Sequence, residues 1–149
     1  KLFDLDQAKC DHLVAIFGGN TIVCETLEEC VCGSDILTTL TPSRKPFIKL
    51  EWLKPGMHIN AIGADAEGKQ EFENNLGDVC NICVVDDKAQ AFHSGESQHT
   101  KNKDNFINLS EVVSPDFNRL DSDISLFDST GLAIEDIAVA SYIYNDLKK

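Results

Sequence analysis

The stretch HINAIGADAEGKQE, residues 58–71, decides the fold. Residues 58–62 form an apolar run in which β-branched side chains recur, directly after a Pro-Gly turn signal, and this pattern predicts a short buried strand. Gly63 ends the strand where the backbone can turn sharply, and Asp65 and Lys69 follow. The stretch therefore predicts a carboxyl group and an ammonium group at the carboxyl end of a parallel strand, the edge where open α/β sheets bind ligands. Taken alone, the same spacing is typical of a surface ion pair.

The composition favours a small-molecule partner. The 149 residues are 42% hydrophobic, which is one domain's length and enough to form a core. The net charge of -12 argues against binding to nucleic acid or to anionic membranes, because such partners require basic patches. No apolar run approaches the roughly 18 residues of a membrane span, and no targeting signal is visible, so we expect a cytoplasmic protein.

The six cysteines lie mostly within apolar runs, which predicts buried, reduced thiols and not a disulfide framework. Two close pairs, Cys30 with Cys32 and Cys80 with Cys83, raise the alternative of a zinc site. Residues three apart in a strand face opposite sides, which disfavours joint ligation. We therefore expect no metal site.

Strand-like and helix-like segments alternate along the chain. We expect strands at residues 1–6, 21–24, 36–40, 58–62, 79–85 and 124–127, helices at 7–17, 26–32, within 109–117 and from 133 onward, a brief helix or turn at 71–76, and loops at 41–46 and 93–105. This alternation predicts an α/β fold with a Rossmann-like parallel sheet flanked by helices. We divide the chain into a partial Rossmann dinucleotide-binding domain, residues 1–132, and an amphipathic helix, residues 133–149, that packs back on it.

Several stretches in the same order together resemble the ornithine cyclodeaminase/mu-crystallin family. They are TTLTPS at 38–43, WLKPG at 52–56, AIGADAEGKQE at 61–71, VVD at 84–86, Gly95-Glu96 and FDSTGLAIEDIA at 127–138. The resemblance runs almost end to end, and it covers about the C-terminal half of the family.

The resemblance implies a Rossmann domain that uses NAD and faces a substrate and dimerisation domain, with a homodimer in a full-length form. Asp65 matches the family's proposed acid/base group, and a carboxyl group beside a nucleotide site can shuttle protons to and from an amine. The implied cofactor contacts are Thr41, Ile62, Gly63, Lys69 and Ser129. Gly95-Glu96 resembles a turn in which the glutamate orients the sheet edge.

The first predicted strand ends in acids, and an acid at the end of the second Rossmann strand binds the adenosine ribose hydroxyls and repels a 2′-phosphate. Asp4 is the better candidate for this role, and Asp6 is the fallback. The alternative is that both acids lie in an ordinary solvated turn.

The departures from the family pattern also matter. No Gly-x-Gly-x-x-Gly or Gly-x-Gly-x-x-Ala occurs, so we expect the first Rossmann strand and its glycine-rich loop to be lacking. We therefore expect this chain alone to bind NAD weakly and not to turn over an amino acid. Three hypotheses follow: the nucleotide-binding portion of an NAD-dependent cyclodeaminase that converts, for example, ornithine to proline and ammonia; a non-catalytic dinucleotide-binding protein of the mu-crystallin kind; or a degenerate fragment.

Overall fold

The computed structural model describes residues 1–148 of the chain. The strands are β1 Ile36–Thr39, β2 Arg44–Ile48, β3 His58–Ala61, β4 Gln70–Phe72, β5 Ile82–Val85, β6 Phe106–Asn108 and β7 Ser125–Asp128. The helices are α1 Gln7–Phe17, α2 Leu27–Cys32, α3 Leu76–Val79, α4 Lys88–Ser94, α5 Leu109–Val112 and α6 Ala133–Asp146. Two 3₁₀ turns, Leu50–Trp52 and Glu96–His99, complete the regular elements.

The main sheet has five strands in the order β1-β3-β7-β5-β6, and all its strand pairs are parallel. The predicted α/β class, a parallel sheet flanked by helices, is confirmed. Thr39, Ala61, Asp128 and Val85 lie side by side in register at the carboxyl ends of four strands. The segments that follow these strands therefore meet at one edge of the sheet.

The strand β3 lies between β1 and β7 and contributes to the core from one face. Ile59 and Ala61 are fully buried, whereas His58 and Asn60 are half-buried and hydrogen bond to each other, Nε2 to Oδ1, at 3.1 Å. The strand thus alternates between an apolar and a polar face. Burial of a large aliphatic side chain such as Ile59 stabilises the fold by about 1.5–3 kcal/mol.

The predicted strands at 1–6 and 21–24 are wrong, because they reduce to a single parallel bridge between Leu2 and Val23. The acids of the first segment bond to nearby backbone instead. Asp4 Oδ1 accepts from the Asp6 N–H at 2.8 Å, and Asp6 caps α1 by accepting from the Ala8 N–H. Local side-chain bonds of this kind compete with strand pairing.

The predicted loop at 41–46 and helix or turn at 71–76 are correct only in part: residues 41–43 form a loop and residues 74–75 a turn that leads into α3, but β2 begins at Arg44 and β4 extends to Phe72. These two strands pair as a second, two-stranded parallel sheet. Apolar and polar residues do not alternate along either strand, so the pattern typical of a strand is missing. The strand β4 is fully buried, and part of what holds it is distant in sequence: both carboxyl oxygens of Glu96 accept its backbone N–H groups.

Smaller differences concern element bounds. The predicted loop at 93–105 contains the end of α4 and the 3₁₀ turn at Glu96–His99, the predicted strand at 79–85 begins only at Ile82, and the strand β6 was not predicted. The helix α4 begins at Lys88 because Asp87 caps it, accepting from the Gln90 N–H at 2.8 Å. All six cysteines are free, and five are buried, as their apolar surroundings predicted.

The predicted helices α1 and α6 are present, and Gly18 ends α1 with a φ of 67°. None of the residues of α6 is buried, and the packing of this helix on residues 1–132 stays a prediction. The apolar residues of this helix recur at helical spacing, as predicted, but they are exposed to solvent. Ile137, for example, is 63% exposed. Among the described residues, no helix has the length and apolar character needed to cross a membrane.

Candidate functional site

A cavity of about 210 Å³ opens at the carboxyl ends of β1 and β3. Its lining comprises Leu40, Thr41, Pro42, Ile62, Gly63, Asp65 and Lys69. Five of these seven residues are ones that the sequence singled out, and they come from two segments about twenty residues apart. The parallel pairing of β1 with β3 brings the two segments together.

Asp65 and Lys69 form an ion pair across the mouth of this cavity, Nζ to Oδ1. The side chain of Asp65 is 53% exposed and that of Lys69 is 20% exposed. An ion pair at this exposure contributes little to stability, about 0–1 kcal/mol. The pair therefore places a solvent-accessible proton acceptor beside a cation, which is an arrangement suited to chemistry on a polar ligand.

Glu71 lies behind the cavity, fully buried, and bonds both of its walls. Its Oε1 accepts from the Thr41 N–H at 2.7 Å, and its Oε2 accepts from the Gly63 N–H at 3.2 Å. A buried carboxyl group whose two oxygens both accept backbone N–H bonds is well satisfied.

The 3₁₀ turn Glu96–His99 holds the backbone of Glu71 in place through hydrogen bonds. Glu96 Oε2 and Oε1 accept from the N–H groups of Glu71 and Phe72, both at 2.9 Å. Asp128 in turn accepts from the N–H of Glu96 at 3.1 Å and from the N–H and hydroxyl of Ser97. The expectation that Glu96 orients a sheet edge thus agrees with its contacts to β4.

Two of these buried acids hold their protons more tightly than usual. Burial raises the pKa of Glu96 to about 8, despite the two backbone bonds, which lower it. Burial also raises the pKa of Asp128 to about 6, against the lowering effect of the bonds from Ser97.

Gln98 fixes the turn that carries Lys69. Its Oε1 accepts from the Gly68 N–H at 2.8 Å, and its Nε2 donates to the carbonyl oxygens of Gly95 at 2.8 Å and Lys69 at 3.3 Å. The Nε2 of His99 lies 2.7 Å from the same Lys69 oxygen, so this histidine is engaged and half-buried. No group of three or more His, Cys, Asp or Glu side chains in residues 1–148 is arranged to hold a metal ion.

Replacing Gln98 with alanine is expected to loosen this turn while the fold persists. The loss of a half-buried amide that makes several bonds should cost about 1–2 kcal/mol, and the amide hydrogen of Gly68 should exchange about tenfold faster, as measured by NMR. The matched control is Gln90→Ala, because the Gln90 Nε2 donates to Gly131 O at 2.9 Å in a different turn. Unchanged exchange at Gly68 in folded Gln98→Ala, or an equal change in the control, would contradict this role.

The remaining predicted site residues lie outside the cavity lining. Ser129 follows β7, donates its N–H to Ala61 O at 3.0 Å, and lies 3.4 Å from Asp86 through its hydroxyl group. It therefore stands at the same sheet edge beside β3. Asp4 is exposed in the segment before α1, and its side chain accepts a hydrogen bond from the Asp6 N–H. The cavity thus brings together Thr41, Ile62, Gly63, Asp65 and Lys69, but neither Ser129 nor Asp4.

Sequence reasoning missed two residues of the cavity lining and most of the residues that hold this lining in place. The missed residues are Leu40 and Pro42 in the lining, and Glu71, Gln98 and Asp128 behind it. Leu40 and Pro42 flank Thr41 directly and could have been included on that ground. The buried acids gave no signal, because an acid in a polar segment predicts exposure.

Comparison with known proteins finds relatives over most of the chain. The model of the ornithine cyclodeaminase/mu-crystallin family matches residues 1–149. An alanine dehydrogenase of Archaeoglobus fulgidus is 46% identical over 120 residues, 75% of this chain and 37% of that protein. The ketimine reductase mu-crystallin of Rattus norvegicus is 32% identical over 145 residues, 97% of this chain and 46% of that protein.

Among solved structures, an archaeal alanine dehydrogenase dimer with bound NAD superposes with a TM-score of 0.85 at 38% identity. The match covers 96% of this chain and 47% of that one. The chain spans less than half the length of the relatives that it matches.

Proposed function

The chain belongs to the ornithine cyclodeaminase/mu-crystallin family, and from this premise we propose that it forms the nucleotide-binding portion of an NAD-dependent enzyme acting on an amino acid or its imine. The observation that carries the proposal is the cavity that joins Thr41 and Gly63 to the Asp65–Lys69 ion pair. The alanine dehydrogenase of similar fold, which holds NAD, supports the choice of cofactor. Its dimeric state supports a homodimer for a full-length form.

The cavity fits one end of a dinucleotide. At about 210 Å³ it is smaller than the roughly 300–1,000 Å³ of sites that enclose a whole drug-sized ligand. Ile62 and Leu40 offer apolar surface to a ring, and Thr41 offers a hydroxyl group at the rim. We propose that this end of the dinucleotide is the nicotinamide end, and that Ser129, which follows β7 at the same sheet edge, contacts it as well.

Asp65 is the proposed acid/base residue. NAD, when bound, supplies a hydride acceptor for the α-carbon of the amino acid. The exposed Asp65 carboxyl group can accept a proton from the substrate's amine and later return one, and Lys69 keeps that carboxyl group at the mouth of the cavity. For an ornithine substrate, the same proton transfers would accompany loss of ammonia and ring closure to a cyclic imine, and return of the hydride to that imine would give proline.

A second candidate is dinucleotide binding without turnover. It is favoured by the direct contact of Lys69 with Asp65, because the Lys69 ammonium group already occupies the Asp65 Oδ1 atom that would otherwise face a substrate. The purified chain with NAD should produce neither NADH from alanine, followed by absorbance, nor ammonia from ornithine or lysine, while NADH fluorescence should change on binding. Turnover by the chain alone would exclude this candidate and would support the enzymatic one without any additional segment.

We also propose that Asp4 selects NADH over NADPH. A carboxylate beside a 2′-phosphate costs on the order of 1–2 kcal/mol near a protein surface, so the chain should bind NADH about tenfold tighter than NADPH, measured by calorimetry. The variant Asp4→Asn should bring the two affinities within about threefold. The control Asp11→Asn removes an exposed acid from α1 and should preserve the preference. Equal affinities in the unmodified chain would contradict the assignment.

A further inference from the structure

The two walls of the cavity are backbone segments that follow the paired strands β1 and β3, and one side chain bridges them beyond the end of that pairing. Thr41 follows β1, and Gly63 follows β3. Their N–H groups donate to opposite oxygens of the same carboxyl group, that of Glu71, at 2.7 and 3.2 Å. The Gly63 N–H also donates to Thr39 O at 3.0 Å, whereas within residues 1–148 the Thr41 N–H donates to Glu71 alone.

We propose that Glu71 is a positioning residue that sets the spacing between the Thr41 and Gly63 walls and, through that spacing, the affinity of the cavity for the end of a dinucleotide. The second part of this proposal rests on the proposed function. Glu71 does not line the cavity, so it acts on a ligand only through the two walls.

The position of the Glu71 carboxyl group is fixed from behind. Its own N–H donates to Glu96 Oε2, and the next N–H, of Phe72, donates to Glu96 Oε1. Glu96 is in turn held through its N–H by Asp128, at the end of β7. A side chain anchored at its backbone in this way, and fully buried, has little freedom to follow a moving wall.

The fit against the walls is also close. A methyl group added to Gly63 would lie 2.5 Å from the Glu71 carboxyl carbon and 2.4 Å from Thr41 O. The walls and the carboxyl group are therefore in contact without spare room. Removal of the bond from the Thr41 N–H should let the Thr41 wall move, because within residues 1–148 this N–H has no second acceptor, whereas the Gly63 N–H keeps its bond to Thr39 O.

The same strand end provides a matched control. Glu73, two residues later, is exposed, and its Oε2 accepts from the Leu50 N–H at 3.0 Å, a backbone bond that does not involve the cavity lining. The variants Glu71→Gln and Glu73→Gln thus make the same chemical change, each at a carboxyl group that holds backbone, but only the first touches the cavity walls.

The experiment measures amide hydrogen exchange and NADH affinity in the ¹⁵N-labelled chain. A glutamine can present its oxygen to only one of the two N–H groups, so in Glu71→Gln the amide of Thr41 or Gly63 should exchange about tenfold faster. NADH should bind about tenfold more weakly. The amides of Glu71 and Phe72, held by Glu96, should keep their protection, and Glu73→Gln should leave both walls and NADH affinity within twofold of the unmodified chain.

A folded Glu71→Gln chain with unchanged exchange at both walls would overturn the proposal, and so would faster exchange with unchanged NADH affinity, since that result describes a merely structural residue. A measurement on the unmodified chain covers the case in which the variant does not fold. With ¹³C added to the label, scalar couplings across the hydrogen bonds, from the ¹⁵N nuclei of Thr41 and Gly63 to the side-chain carboxyl ¹³C of Glu71, should be detected, and their absence would exclude the bridging role of Glu71. If the unmodified chain does not bind NADH, the proposed function fails while the exchange rates and couplings still decide the role of Glu71 in wall spacing.

Discussion

Replacing Gly63 with alanine is expected to destabilise the chain by about 3 kcal/mol and to abolish NADH binding. The new Cβ atom would lie 2.4 Å from Thr41 O and 2.5 Å from Oε1 of Glu71, well inside van der Waals contact. Neither neighbour can move cheaply, because one is backbone and the other is a buried carboxyl group with hydrogen bonds on both oxygens. Overpacking of this kind typically costs 1–3 kcal/mol, and here it also forces apart the two walls of the cavity.

The free energy of unfolding, measured in urea, tests this expectation. The control is Gly19→Ala, since a Cβ atom at Gly19 would meet nothing within 4 Å and the residue is exposed. That variant should remain within about 0.5 kcal/mol of the unmodified chain. A Gly63→Ala chain as stable as the control would mean that the walls yield, and would also weaken the role assigned to Glu71.

Much of the fold could be predicted from local pattern. The strand β3 carries an apolar run between turn signals, and α2 is capped by Thr26, whose hydroxyl group accepts from the Glu29 N–H as the Ser/Thr-x-x-Glu pattern predicts. Such elements are specified by residues within one or two turns of each other. The parallel arrangement then followed from the alternation of strands and helices.

The small sheet of β2 and β4 could not be predicted in the same way. Pro46 lies within β2, and β4 is three residues long and includes a buried acid, so neither segment reads as a strand. What stabilises β4 includes Glu96, 24 and 25 residues away. Pairing that depends on a distant side chain has no local signature.

The candidate site likewise contains some residues that could be predicted from the sequence and others that could not. Asp65, Lys69 and Thr41 were identified because they stand at strand ends within a motif, and the structure places them in one cavity. Glu71 and Asp128 were not identified, because the burial of an acid depends on donors supplied by other segments. Residues of the lining could thus be predicted, whereas the residues that hold the lining could not.

Raising the pH from 5 to 8 is expected to lower the free energy of unfolding of this chain. Burial raises the pKa of Glu96 to about 8 from an ordinary value of 4.5, and that of Asp128 to about 6 from 3.8. In this range the folded chain therefore binds more protons than the unfolded chain. The stabilisation that these two groups contribute is fully present below their ordinary pKa values and is lost as the pH rises towards 8, with a slope of at most about 1.4 kcal/mol per pH unit for each proton.

The variant Glu96→Gln separates the buried charge from the hydrogen bonds. At pH 5 it should be less stable than the unmodified chain by about 1–3 kcal/mol, because its amide nitrogen must face the N–H of Glu71 or Phe72. At pH 8 that deficit should shrink or reverse, because the unmodified chain then holds a buried charge and the variant does not. Urea unfolding at both pH values measures the two differences, and Glu73→Gln, at an exposed position, should retain the slope of the unmodified chain. Two results would contradict this expectation: a free energy of unfolding that stays flat or rises between pH 5 and 8, or the same pH slope in Glu96→Gln as in the unmodified chain. Either would show that the Glu96 carboxyl group is ionised throughout this range, because its two backbone hydrogen bonds outweigh the effect of its burial.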